Sequence, residues 1–156
     1  MAAGHYQRGF SKHAAKSYTE FLKTYPSHKE ATSARYALAI CEFRQNNLKE
    51  AAALIDQVLR DSKFDRADEA LAVQGHCLMT LGEREQALAS FARLLKSHAR
   101  SKHAPTAAVN RIQVLYLLDR KADSATAGKA FLKQFGNSSH APAASYFLAL
   151  AQHDLG

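Results

Sequence analysis

The sequence repeats itself. The segments Phe21-Leu22-Lys23, Val58-Leu59-Arg60, Leu94-Leu95-Lys96 and Phe131-Leu132-Lys133 recur in register, and aligning them makes Ala14, Ala51, Ala87 and Ser124 equivalent, with steps of 37, 36 and 37 residues. Five residues before each anchor stands a turn former, Gly9, Asn46, Gly82 or Asp119, and Gly156 falls one further period on. A period of this length restricts the fold sharply. Each repeat is a single supersecondary unit that cannot bury its own apolar face, so neighbouring repeats must stack on one another to make a core.

Each turn divides a repeat into an A helix before it and a B helix after it. The second A helix is expected over residues 31–44 and the second B helix over residues 48–61. Leu54, Ile55, Val58 and Leu59 lie at three- and four-residue spacing on one side of that B helix. Leu88, Phe91, Leu94 and Leu95 repeat the pattern in the next repeat, and Tyr18, Phe21 and Leu22 in the first. The breaks between repeats read as loop and cap chemistry: Tyr25-Pro26-Ser27-His28, Ser101-Lys102-His103-Ala104-Pro105 and Ser138-Ser139-His140-Ala141-Pro142. Ser27, Ser101 and Ser139 are the candidate N-caps, and proline fits a first helical turn, where its missing N–H would lack a partner anyway. The break Lys63-Phe64-Asp65-Arg66 contains no proline and its boundary is the least defined.

Composition agrees. The chain of 156 residues is rich in good helix formers and contains only 7 glycines and 3 prolines. It has material for a single array over residues 1–156: a partial repeat at 1–26, repeats at about 27–63, 64–99 and 100–136, and a partial repeat at 137–156. Beginning and ending in mid-repeat is what a segment of a longer protein would do. The net charge of +7 is spread along the chain with no basic block. No apolar run approaches the ~18–20 residues of a membrane span.

The residues Tyr36-Ala37-Leu38-Ala39-Ile40-Cys41-Glu42-Phe43-Arg44-Gln45-Asn46-Asn47-Leu48-Lys49-Glu50-Ala51, with small residues at Ala39, Gly75 and Ala149 in one column, resemble tetratricopeptide repeats. Residues 146–156 repeat the A-helix pattern three periods later, so the resemblance covers nearly the whole chain. The chain departs from the family where Ser124 and Gly128 replace the usual Ala and aromatic and Arg111-Ile112 replace a Leu-Gly pair, which leaves the fourth hairpin expected to be looser or shifted. The period and the Ser-x-x-Ala-Pro-x-Ala breaks look like bacterial cell-envelope members, among them the periplasmic protein YbgF (CpoB) and the outer-membrane assembly lipoprotein BamD. The resemblance implies an all-α, right-handed superhelical solenoid of antiparallel helix pairs. It points to the periplasm or cell envelope, with the cytoplasm as the alternative.

In the family the A helices line a concave groove, and three columns carry over: Tyr36, Ala72, Val109 and Tyr146; Ala3, Ile40, His76, Gln113 and Leu150; Tyr6, Phe43, Met79, Tyr116 and His153. The partner-binding residues implied are Tyr36, Ile40, Phe43, His76, Met79, Gln113, Tyr116 and Tyr146. Such a surface suits a peptide or helix of another protein. The competing reading makes Phe43, Met79 and Tyr116 core between repeats. Lys16, Lys49, Arg93, Lys96, Lys129 and Lys133 fall mainly on B helices, where they read as a solvated convex face, and a nucleic-acid-associated protein is the alternative that the net charge offers. Self-association through an uncapped end is a further one.

No enzyme, cofactor or small-molecule substrate is indicated: the chain has no phosphate loop, nucleophile elbow or HExxH, and Glu83, Glu85 and Asp119 are turn-side carboxylates. His76-Cys77 with His98 or His103 matches no metal-ligand spacing. Cys41 and Cys77 are one period apart at a small buried position, and equivalent sites on stacked helices lie ~10 Å apart, beyond the ~7 Å reach of a disulfide. If the B face is correctly assigned, Leu95→Ala should cost ~2–5 kcal/mol in a denaturant melt.

Overall fold

The computed structural model describes the backbone of residues 2–156 and the side chains from Ser11 onward. The described residues form eight helices and no strand: α1 (Ala2–Thr24), α2 (Ala31–Arg44), α3 (Leu48–Val58), α4 (Ala67–Thr80), α5 (Arg84–Ser97), α6 (Ala104–Leu117), α7 (Lys121–Phe135) and α8 (Ala141–Leu155). Helix α2 has the expected bounds. Helix α3 ends earlier than expected because Asp61 takes another role: its carboxylate accepts from the Lys63 N–H at 3.0 Å and from the Thr32 hydroxyl at 3.0 Å. Such a local side-chain bond competes with continuing the helix. At Gly9 the expected turn is absent and α1 runs through it. A lone glycine among helix formers is tolerated at a cost of about 1 kcal/mol.

The three later turns share one construction. Asn46, Gly82 and Asp119 have φ of 67°, 81° and 60°. The following residue donates its N–H back five residues in each: Asn47 to the Glu42 carbonyl, Glu83 to Leu78 and Arg120 to Leu115, at 2.9, 2.9 and 3.0 Å. This closure satisfies carbonyls left open at a helix end and requires a left-handed residue, which Gly, Asn and Asp tolerate. The breaks are also alike, but serine side chains do not cap them. His103 and His140 hold the cap positions without a side-chain capping bond, and backbone turns do the work instead: Ala31 N–H to His28, Ala104 to Ser101 and Ala141 to Ser138, at 2.8, 3.0 and 3.1 Å. The Ser101 hydroxyl closes its own loop by accepting from the His103 N–H at 3.0 Å. Pro105 and Pro142 lie in first turns as expected.

The chain divides within α4 into two compact units, Met1–Cys77 and Leu78–Gly156. In the first, α2 packs on α1 and on α3. Leu38 and Cys41 meet Ala15, with Tyr18, Leu22 and Leu54 around them, and Ile55 and Val58 are fully buried. The proline-free break is held by aromatic packing. The Phe64 ring lies 5.1 Å from that of Tyr36, and the Arg66 guanidinium stacks 4.7 Å above Tyr36 while bonding Glu69 through Nε and Nη2 at 3.1 and 2.8 Å.

In the second unit α6 packs on α5, α7 and α8, and α7 packs on α8. Val109, Ile112, Phe131 and Ala144 make its core. Two of the departures from the repeat pattern, Ser124 and Gly128, sit in contacts between these helices. The buried Ser124 hydroxyl donates to the Ile112 carbonyl at 3.0 Å, tying α7 to α6. A Cβ on Gly128 would stand 3.0 Å from the Leu148 Cβ, so its absence lets α7 and α8 approach closely. Along α5 the core position is Leu94, 0% exposed, whereas Leu95 is half-buried. The expected B-face stripe is therefore rotated toward Leu94. Leu94→Ala should cost ~2–5 kcal/mol and Leu95→Ala distinctly less, as a pair of urea melts would read.

Candidate partner-binding surface

The second unit carries the more developed part of the expected groove, between α6 and α8. Gln113, Tyr116 and Leu117 share one side of α6 by three- and four-residue spacing, and Tyr146, Leu150 and His153 share one side of α8. Tyr146 is 60% exposed and Leu117 is exposed as well, while Gln113, Tyr116 and Leu150 are half-buried and His153 is exposed. The two helices are joined by Phe147, whose ring lies 6.0 Å from Tyr116 and 5.3 Å, edge-on, from Tyr146. A large exposed aromatic that rests on a fixed aromatic neighbour offers apolar area with little rotamer freedom left to lose.

A polar tie fixes this platform. The Tyr116 hydroxyl donates to Asp154 Oδ2 at 2.8 Å, and Lys121 reaches Asp154 at 3.3 Å and Asp119 at 3.2 Å. His153 Nδ1 lies 3.3 Å from the other Asp154 oxygen. The Tyr116 hydroxyl, His153 and Lys121 hold the Asp154 carboxyl below its ordinary range, and the same bond to Asp154 pushes the Tyr116 phenol up. Sequence reasoning missed Phe147, Asp154 and Lys121. Phe147 adjoins Tyr146, but which of two neighbouring aromatics packs inward depends on the facing helix. Asp154 and Tyr116 are 38 residues apart with no partner pattern in the other repeats.

In the first unit the corresponding columns bring Phe43 and His76 together, rings 5.7 Å apart and edge-on, with Ile40 one turn before Phe43. Phe43 and Ile40 are half-buried and His76 is exposed. Tyr36 does not join them. Expected on the groove, it is 2% exposed, enclosed by Phe64 and Arg66, and burial followed by the Glu69 charge pushes its phenol well up. Val109 of the same column is likewise buried. Met79 is half-buried in the second unit. Ala3 and Tyr6 lie outside the described side chains.

The rest of the surface offers little chemistry. Cys41 and Cys77 are free and buried, and burial raises both thiols, that of Cys77 to about 11. A thiol held protonated is a poor nucleophile. Lys16, Lys49, Arg93, Lys96, Lys129 and Lys133 are all exposed on α1, α3, α5 and α7, as a solvated face requires. No described helix is long and apolar enough to cross a membrane.

Paired helices closed by left-handed turns at a fixed period define a helical-repeat protein. The family model for the tetratricopeptide repeat matches residues 1–69 and again 73–139, and the chain belongs to that family. No curated protein matches it. Among solved structures it is similar to a tetratricopeptide repeat protein from Parabacteroides merdae, with a TM-score of 0.78 at 18% identity. The match covers 94% of this chain and 55% of that one, so the chain spans a little over half of its relative's length. At this identity the likeness speaks for the fold. Membership of the family implies a protein–protein interaction scaffold.

The tie between α6 and α8 has a pH signature. A carboxyl whose folded pKa lies below its unfolded value stabilises the fold fully above the unfolded value and loses that contribution as pH falls through the folded one. Asp154 is such a group. Tyr116→Phe should therefore lower the melting temperature at neutral pH, and the gap to wild type should close as pH drops below the usual carboxylate value of about 4. A gap that persists unchanged in acid would show that the Asp154 charge contributes nothing.

Proposed function

We propose that the chain acts as a scaffold whose A-helix face binds a peptide or helix of a partner protein. Tyr146, Tyr116 and Gln113 anchor the partner on the second unit, and Phe43, Ile40 and His76 provide a second patch on the first. The observation that carries this reading is Tyr146, an aromatic 60% exposed yet seated edge-on against Phe147. Exposed large aromatics on a fixed platform are the residues that dominate interface energies. The half-buried setting of Phe43 and Tyr116 gives each a packing role as well, so Tyr146 is the position where binding separates most cleanly from folding.

The partner system we propose is bacterial cell-envelope assembly. The support is the thirty-six- to thirty-seven-residue period together with the Ser-x-x-Ala-Pro-x-Ala breaks, which resemble envelope members of the family. Cell fractionation of the native protein tests the compartment, and a cytosolic pool alone would remove this part of the reading.

The binding reading is tested with peptides selected against the chain from a displayed library. Tyr146→Ala should weaken the selected peptides by ~1–3 kcal/mol with the melting temperature unchanged, whereas Lys129→Ala on the opposite helix type should have little effect. If every selected peptide binds Tyr146→Ala and Phe43→Ala as it binds wild type, the groove lies elsewhere. Affinity for duplex DNA that falls steeply with added salt would instead favour the basic face.

A further inference from the structure

A second opening lies between α5, α6 and α7, away from the residues of the α6–α8 platform. It is a pocket of about 180 Å³ lined by Leu95, Ala108, Ala127, Phe131 and Phe135, with Arg111 from α6 in its wall. Arg111 is the residue that replaces the apolar member of the repeat pattern, and Leu95, the B-face leucine left out of the core, borders the same space. Arg111 is half-buried. The ion pairs among the described residues use Lys16, Arg60, Arg66, Arg120, Lys121 and His153, and none includes Arg111. A guanidinium has thus given up part of its hydration beside an apolar pocket without gaining a counter-charge.

We propose that this pocket binds an apolar group that carries a carboxylate. The apolar part fits by size, since an apolar cavity of about 150 Å³ holds one benzene ring. The acid fits by geometry, because the planar guanidinium fork matches a carboxylate through two parallel hydrogen bonds. A phosphate fits less well: it carries more charge, and Arg111 is the only cationic side chain in the lining. Two sources share this chemistry, a free aryl or alkyl carboxylic acid and the last residue of a peptide with an apolar side chain.

The experiment titrates the full chain at neutral pH with 3-phenylpropanoate and with 3-phenylpropanamide, its neutral isostere. It adds a short peptide ending in Phe with a free or an amidated C-terminus. Binding is followed by calorimetry and by the NMR shifts of the Ala108 and Ala127 methyls. The acid should bind and move those methyls, and the amide should bind roughly tenfold or more weakly, as loss of a charge-assisted bond predicts. Arg111→Met, which keeps an apolar stem in the wall, should weaken the acid by a similar factor while the melting temperature holds. Ala130→Leu, at another lining position, should weaken acid and amide together. If Arg111→Met does not fold, the acid-to-amide ratio on the wild type still decides. Binding of the free-carboxylate peptide in preference to the small acid would identify a chain end as the source, and the reverse order a free acid. Equal binding of acid and amide, an acid affinity unchanged in folded Arg111→Met, or no binding of acid or peptide at millimolar concentration overturns the proposal.

Discussion

Each B helix carries an apolar stripe that its own turn cannot cover, and this unmet burial organises the molecule. Ile55 and Val58 on α3, Phe91 and Leu94 on α5, and Phe131 on α7 are the most deeply enclosed large side chains of their helices. Burying a side chain of this size is worth ~1.5–3 kcal/mol, and the area is gained only when another helix lies across it. The left-handed turns at Asn46, Gly82 and Asp119 serve that requirement by ending one helix cleanly and letting the next begin within three residues.

Small residues set how close the helices come. Ala39, Ala51 and Ala87 are fully enclosed, and Gly128 leaves room for Leu148 where a Cβ would crowd it. Repeats of this kind tolerate substitution as long as volume is exchanged across the contact. Ser124 shows the polar version, because a hydroxyl can occupy an alanine's site when a carbonyl on the facing helix accepts its proton. The proline-free break shows another exchange, with Phe64 and Arg66 packed on Tyr36 in place of a rigid first turn. That exchange also removes Tyr36 from the open surface.

The same packing logic sorts aromatic residues between core and surface. On α8, Phe147 turns toward Tyr116 and Tyr146 stays outside, so adjacent residues divide the two roles. Exposure is then concentrated on side chains whose neighbours are already fixed, which is the condition under which a surface aromatic binds at low entropic cost.

The sequence alone determined the repeat length, the helix-turn-helix unit, the bounds of α2 and the three left-handed turns. These depend on local chemistry: period, helix propensity and the few residue types that accept positive φ. The period aligned Phe43 with Met79 and Ile40 with His76, and the edge-on contact of Phe43 with His76 came from the packing of the helices. What it could not decide was which residues face inward when two candidates are adjacent or when a side chain has no equivalent elsewhere. Leu94 rather than Leu95, Tyr36 enclosed rather than open, and the Tyr116–Asp154–Lys121 tie were settled by the rotation and spacing of facing helices. A rotation of a few tens of degrees moves a side chain from core to solvent without changing the periodic pattern from which the sequence is read, so only the tertiary packing could choose.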